Sequence, residues 1–329
     1  MNMQDINSIR KSVEKFKLTH EFAGRILFDE PMKNRTSFKI GGNAPLFVEP
    51  ADENSLIGVL DFFKTENIPY FILGGCTNVV VSDNGFEGAV ISTSGLNYIE
   101  ILDTGIPAQN AANSGKNVFV KCGAGTPVSS LINFCRNNCL QGAEQFAGLP
   151  GSVGGAVFMN ARCFDRSISD LFHSADFIDM PGNIKSNLLF NEADWAYKVS
   201  PFQNTNGIIT AAVFKLSALS DENKTEISEK CEYYVNERKI KGHFKFPSAG
   251  SVFRNNRAFG KPSGQIIDEL GLKGMKIGGA QIAPWHGNFI INTGNASQKD
   301  VKELVNFIVN RVKEKRNFIL QPEIIFCGK

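Results

Sequence analysis

Two apolar stretches, 69–73 and 79–81, flank the turn Gly74-Gly75-Cys76-Thr77-Asn78, and a third, Ala89-Val90-Ile91, follows a turn at Asp83-Asn84-Gly85. The order is strand, glycine turn, strand. A doubly wound dinucleotide fold needs strand, glycine turn, helix, so this segment argues against that fold while keeping a glycine loop that can lie against a ligand. Upstream, Asp52 stands where a helix cap belongs, and Leu56, Val59, Leu60 and Phe63 recur at i, i+3, i+4 and i+7. With 69–73 read as a buried strand, the region forms a helix-to-strand unit.

The middle of the chain alternates short predicted strands at 118–122, 175–179 and 208–216 with a helix over 128–137, and Pro181-Gly182-Asn183 marks a turn. A charged helix over 221–239, with Ile227, Cys231, Tyr234 and Val235 on one face, leads into the last part of the chain. There Ser297 and Asp300 have the spacing of a capping box, Val301, Leu304, Val305, Ile308 and Val312 give an amphipathic helix, and 318–326 reads as a strand around Pro322. Strands and helices mixed throughout imply an α+β protein and not an all-parallel sheet.

The chain has 329 residues, about twice a soft prior of ~150 per domain, so two or three domains are expected. Lys+Arg 35 against Asp+Glu 33 leaves +2, which speaks against a nucleic-acid or membrane partner held by a basic surface, though a local basic pocket stays open. No stretch reaches the ~18 apolar residues of a membrane span. The start, 1–17, carries charges throughout and lacks the apolar core of a signal peptide, so a cytoplasmic location is expected. Seven cysteines with no C-x-x-C pair fit reduced thiols. Cys135 and Cys139, four apart on a predicted helix, read as packing thiols, and with four histidines and no paired ligand spacing no metal site is expected. A monomer is expected, since no long apolar seam suggests an obligate dimer.

Besides the turn at 74–78, the run Gly148-Leu149-Pro150-Gly151-Ser152-Val153-Gly154-Gly155-Ala156 is glycine-rich. Glycine lets backbone approach a ligand closely and exposes consecutive N–H groups, which hold a pyrophosphate without a lysine. Neither run matches G-x-G-x-x-G or G-x-x-x-x-G-K-[ST], and Gly123-Ala124-Gly125 has Val128 where a third glycine would stand. Any one such turn reads as packing. Two of them, each taken to lie beside apolar strands, point to one extended phosphate-bearing ligand.

A third segment, Pro247-Ser248-Ala249-Gly250-Ser251-Val252-Phe253, places small hydroxyl residues ahead of a strand, after Arg238, Lys239 and Lys241. Ser251 has no G-x-S-x-G frame and no neighbouring histidine, which argues against an acyl-transfer nucleophile. It stands as a candidate proton donor or as a plain serine in a small-residue turn. Glu323, in Gln321-Pro322-Glu323-Ile324-Ile325, is a lone carboxylate among apolar residues, either buried with a partner or functional. The basic cluster 238–241 reads either as a ligand site or as the solvated end of a helix.

Taken together, Thr36-Ser37-Phe38-Lys39-Ile40-Gly41-Gly42, the segments around 74–78, 148–156 and 247–253, and Gly278-Gly279-Ala280-Gln281 resemble the UDP-N-acetylenolpyruvylglucosamine reductase family, flavoenzymes that make UDP-N-acetylmuramate for bacterial peptidoglycan. The five blocks keep the family's order from about residue 34 to Glu323. The resemblance implies an α+β chain with an FAD-binding fold of the vanillyl-alcohol-oxidase type in two subdomains, 1–92 and 93–220, with the strand at 318–329 returning to the first, and a substrate-binding domain over 221–317. It implies FAD and NADPH as cofactors and UDP-N-acetylglucosamine enolpyruvate as substrate. Gly74, Gly75, Cys76, Thr77 and Asn78, with Gly123, Pro150, Gly151, Ser152, Gly154 and Gly155, are then the cofactor-binding positions. Ser251 matches the family's proton donor and Glu323 its acid. Arg238, Lys241, Asn255 and Gln281 match substrate positions, the first three of them at the UDP diphosphate.

The implied chemistry carries a nicotinamide hydride through the flavin to the terminal carbon of the enolpyruvyl ether. Charge left behind spreads into the substrate carboxylate as an enolate, which a cation and a carboxylic acid can stabilise and a positioned hydroxyl can protonate. Three positions depart from the family. In Tyr197-Lys198-Val199-Ser200-Pro201-Phe202 the lysine at Lys198 replaces arginine and loses its planar fork. Cys76-Thr77 brings bulk into the flavin loop. Asn160-Ala161-Arg162-Cys163-Phe164 replaces a Gly-Ala-Tyr-Gly stretch and offers Arg162 as a substitute cation. The alternatives are another FAD-dependent sugar or alcohol oxidoreductase of the same fold, or a non-catalytic nucleotide-sugar-binding homologue.

Overall fold

The computed structural model describes residues 3–19, 21–102, 117–179, 184–205 and 207–329, so the turn expected at 181–183 lies outside the described residues. The chain divides into two compact units, one formed by Met1–Ile26, Val48–Gly75 and Val90–Asn236, the other by Leu27–Phe47, Cys76–Ala89 and Glu237–Lys329. The strands Gly24–Pro31, Asn43–Pro50, Ala89–Ser92 and Tyr70–Leu73 form a four-stranded sheet in that order.

In the first unit the helix Glu53–Thr65 forms as its cap requires: the Asp52 carboxylate accepts from the Ser55 N–H at 2.7 Å, and Leu56, Val59, Leu60 and Phe63 are all buried. The main sheet is antiparallel around the eleven-residue strand Ile208–Ala218. Phe172–Asp179 and then Ile184–Leu189 flank it on one side, Asn117–Gly123 and then Ile99–Ile101 on the other, and the short strand Leu140–Gln141 pairs with its end. Its near-continuous burial explains why it reads as an apolar run. The helix Val128–Asn137 turns Val128, Leu131, Ile132 and Cys135 into the core. Ile227 and Cys231, from the helix Lys224–Ile240, are buried in the same core, with Tyr234 and Val235 packed against it.

The second unit holds an antiparallel sheet ordered Ser248–Ser251, Phe289–Asn292, Ala280–Ile282, Lys276–Ile277. Helix Gln298–Arg316 covers its core, starts with the capping box of Ser297 and Asp300, and buries all five expected apolar residues. The strand Ile325–Cys327 pairs in parallel with Val79–Val81. Mixed strands and helices in both units give the expected α+β class.

Several local expectations are corrected. The strand expected over 318–326 shrinks to Ile325–Cys327, because Pro322 lacks an N–H and makes only an isolated bridge with Phe253. Tyr70–Leu73 is not a buried strand: Leu73 alone is buried and Phe71 is 38% exposed. Residues 248–251 form a strand themselves instead of preceding one. Cys139 lies beyond the helix in a left-handed conformation at φ 51°. A helix that the sequence does not lead one to expect, Met3–Thr19, buries Val13 and Phe16, the latter 4.8 Å from the Phe62 ring. Among the described residues no helix is long and apolar enough to cross a membrane.

Candidate active site

In the first unit the two glycine runs meet. Ser152 caps the helix Val153–Phe158, its Oγ accepting from the Gly155 N–H (3.3 Å) and from the Gly75 N–H of the other run (3.1 Å). The second run therefore opens a short helix, not a strand. Side chains do not fit at the junction: a Cβ on Gly75 would stand 2.6 Å from Ser152 N, one on Gly154 2.8 Å from the Ala124 Cβ, and one on Gly123 would strike the Leu96 carbonyl. These glycines allow backbone to lie on backbone. Gly155 differs, since a Cβ there would meet only Ser152 Oγ, at 3.3 Å. The Gly151 carbonyl is occupied by the Val128 N–H. The N–H groups of Gly151 and Ser152 donate to no acceptor among the described residues, beside an exposed Pro150. Two spare backbone donors next to an open glycine make a cradle suited to a diphosphate, so the residues present fit the flavin cofactor.

Cys76, Thr77 and Asn78 fall in the second unit. Cys76 takes φ 51° and its carbonyl accepts from the Ser37 N–H (3.1 Å). Burial pushes its thiol up to about 12, against a smaller opposing pull from Arg35. Thr77 is half-buried. The Asn78 side chain donates to the Glu323 carbonyl (3.2 Å), and its own carbonyl accepts from the Ile325 N–H (2.9 Å).

Ser251 ends its strand opposite Phe289, directly after Gly250 at φ 75°, and its hydroxyl makes no hydrogen bond among the described residues. The next residue, Val252, accepts from the buried Glu323 N–H at 2.7 Å. Glu323, far away in sequence, thus hydrogen-bonds both Asn78 and Val252, the residue next to Ser251. Two expected substrate contacts have side chains engaged in the fold: Asn255 Oδ1 accepts from the Ser263 N–H (2.9 Å) at the start of the helix Ser263–Glu269, and Gln281 Nε2 donates to the Gly274 carbonyl (2.9 Å). Lys241 is exposed, 3.5 Å from the Glu237 carboxylate. Arg238 is 6% exposed and so is not itself part of a solvated helix end, whereas Lys239 and Lys241 beside it are exposed.

A residue that sequence reasoning missed lies beside that arginine. The His243 N–H donates to the Arg238 carbonyl (3.1 Å), and its ring sits 4.8 Å from Phe289 and 6.1 Å from His286. Burial chiefly, then the charges of Arg238, His286 and Lys241, push His243 down to about 4, and burial lowers His286 as well. Histidines 43 residues apart carry no local spacing signal. Between an unfolded value of about 6.5 and the folded value of about 4, the unfolded chain binds a proton that the folded chain refuses. Stability is therefore fully present above the unfolded value and is lost as pH falls through that window. His243→Phe, which keeps a ring against Phe289, is expected to shrink the drop in urea midpoint between about pH 7 and about pH 5. An unchanged drop would contradict a half-buried, neutral His243.

Lys198 sits at the tip of a tight turn in the first unit, between Ala196 and Val199, whose N–H and carbonyl groups bond reciprocally (3.2 and 3.0 Å), and it adopts φ 60°. Arg162 lies in a small hairpin, Arg162–Cys163 against Arg166–Ser167, where its guanidinium donates to Ser167 Oγ (3.2 Å) and Asp165 Oδ1 (3.1 Å). Among the described residues no group of His, Cys, Asp and Glu could hold a metal ion.

A model of the C-terminal domain of UDP-N-acetylenolpyruvoylglucosamine reductase matches residues 242–327, and an FAD-binding domain model matches 44–186. A UDP-N-acetylenolpyruvoylglucosamine reductase of Treponema denticola is 47% identical over 93% of this chain and 94% of its own. The chain belongs to the UDP-N-acetylenolpyruvoylglucosamine reductase family. The reductase of Treponema pallidum is 38% identical over 91% of this chain and 92% of its own. The crystal structure of the UDP-N-acetylenolpyruvylglucosamine reductase of Thermus caldophilus superposes with TM-score 0.72 at 28% identity, covering 93% of this chain and 99% of that one. Within this reductase family the flavin domain model covers the Ser152 cradle, and the C-terminal domain model covers Ser251, Asn255, Gln281 and Glu323.

Proposed function

We propose that this chain reduces the enolpyruvyl ether of UDP-N-acetylglucosamine to UDP-N-acetylmuramate, with FAD as resident cofactor and NADPH as reductant, in the cytoplasm and for peptidoglycan precursor synthesis. The observation that carries the reading is the hydrogen bond that sets Glu323 against Val252, the residue next to Ser251, in a member of this reductase family. In this reading residues 1–92 and 93–220 form the flavin-binding part, joined by the C-terminal strand, and 221–317 the substrate domain. The backbone donors of Gly151 and Ser152 and the open face at Gly155 hold the diphosphate of FAD, helped by the turn Gly74 to Asn78.

When bound, the flavin supplies hydride to the terminal carbon of the enolpyruvyl group. Charge then develops on the substrate carboxylate, where Lys198 and Glu323 stabilise it. The Ser251 hydroxyl, uncommitted in the fold, delivers the proton that completes the product. Arg238, Lys241 and Asn255 bind the UDP diphosphate, Asn255 through the NH2 end of the amide whose oxygen accepts from the Ser263 N–H, and Gln281 is a further substrate contact.

Purified protein is expected to be yellow and to oxidise NADPH only when the enolpyruvyl sugar is present. The flavin is expected to be non-covalent, because a Cys76 thiol near 12 holds almost no thiolate at neutral pH to attack it. Acid precipitation should leave all the colour in the supernatant. Colour retained on the chain overturns the non-covalent assignment, and a yellow protein that never turns over NADPH with the enolpyruvyl sugar overturns the proposed activity.

A further inference from the structure

The Lys198 turn holds a backbone conformation that a lysine does not choose. A non-glycine residue in the left-handed region is strained and persists only where the surroundings over-determine it. Three side chains supply that constraint. Asn160 Nδ2 donates to the Ala196 carbonyl (2.8 Å), while its Oδ1 accepts from the Ser169 N–H (3.1 Å). Ser200 Oγ donates to the Phe158 carbonyl (2.7 Å). Gln203 Nε2 donates twice, to that same Phe158 carbonyl (2.8 Å) and to the carbonyl of Lys198 itself (3.1 Å). Both partners of the amide are carbonyl oxygens, so only its NH2 end fits there.

Phe158 is the last residue of the helix Val153–Phe158, whose carbonyl has no partner within the helix. Gln203 therefore ties the residue bearing the cation to the far end of the helix that Ser152 caps. Arginine grips a carboxylate through a fork that fixes its own orientation; a lysine ammonium is a point charge on a flexible stem. Here the placing of the charge falls to the backbone beneath it.

The geometry points to Gln203 as a positioning residue that holds Lys198 in register for the substrate carboxylate. The inference rests on the proposed reading of Lys198 as the enolate-stabilising cation. Gln203 does not touch the reacting atoms. Its removal displaces the ammonium, and misplacement on the ångström scale costs about 10–10²-fold in turnover.

The test is a double-mutant cycle on the flavin-loaded protein with Lys198→Met, Gln203→Leu and the pair, reading kcat and KM for the enolpyruvyl sugar, flavin content from absorbance, and the thermal midpoint. The expected result is that Gln203→Leu lowers kcat about 10–10²-fold with KM and flavin content little changed, and that the pair is no slower than Lys198→Met alone. If the pair is slower by the product of the two factors, Gln203 acts independently of Lys198 and the inference fails while the reading of Lys198 stands. A loss of flavin that parallels the loss of activity also overturns it, because Gln203 would then serve the helix and not the lysine. A silent Lys198→Met removes both the reading and the inference. Should Gln203→Leu not fold, Gln203→Glu takes its place in the cycle. Its carboxylate opposes two carbonyl oxygens and its protonated form can donate to one, so its kcat relative to the parent should rise as pH falls, and a flat ratio counts against the inference.

Discussion

Replacing Ser251 with alanine leaves the reduction of bound flavin by NADPH at its parental rate and slows reoxidation by the enolpyruvyl sugar by roughly 10²–10⁴-fold, the usual share of a positioned proton donor. The separation follows from where the hydroxyl acts. Hydride passing from nicotinamide to flavin needs no proton at the substrate carbon, whereas completing the product does. The structure makes the substitution a clean one. The Ser251 hydroxyl bonds to nothing among the described residues, and the backbone of Ser251 is held by its pairing with Phe289, so alanine removes one oxygen without orphaning a partner. The thermal midpoint should move little. Stopped-flow absorbance reads the two half-reactions separately, and equal slowing of both would remove Ser251 from the proton-donor role.

The parts of this molecule written in local spacing were legible beforehand. Asp52 before an i, i+3, i+4, i+7 stripe and Ser297 three residues before Asp300 each carry their own start signal, and both helices form as expected, as does the helix over 128–137. Where the outcome depends on a distant partner, the sequence is silent. Nothing near Arg238 announces that it is buried, and nothing near Asn255 or Gln281 announces that Ser263 and Gly274 engage their side chains. Pro322 warned against a long strand, yet what decides the outcome is the pairing of Ile325–Cys327 with Val79–Val81, 246 residues away in the chain. The left-handed turn at Lys198 had no glycine or asparagine to mark it. Its conformation is imposed by Asn160, Ser200 and Gln203 through backbone carbonyls, a constraint with no residue pattern of its own. The resemblance to a reductase family named the chemical residues; the supports beneath them emerge only from the coordinates.

Lys198→Met is expected to lower turnover by roughly 10²–10³-fold, the cost of removing one preorganised charge from a developing anion. Methionine keeps the unbranched stem and tolerates the same backbone as lysine, so the turn survives while the ammonium is lost. UDP binding depends on Arg238 and Lys241 in this reading, so calorimetric affinity for UDP should change little, and the loss should fall on kcat rather than on KM. Lys198→Arg should keep or raise activity, since the fork adds a second hydrogen bond to the same carboxylate. The rival cation is Arg162. Its guanidinium is already held by Ser167 Oγ and Asp165 Oδ1 inside its own hairpin, and Asp165 partly neutralises it. Arg162→Met is therefore expected to be nearly silent in turnover. If Arg162→Met carries the loss and Lys198→Met does not, the hairpin must release its arginine to the substrate, and the roles of the two residues exchange. If neither variant loses activity, the enolate has no cation from either position, and the chain is better read as a nucleotide-sugar-binding homologue in which reduction is not the function.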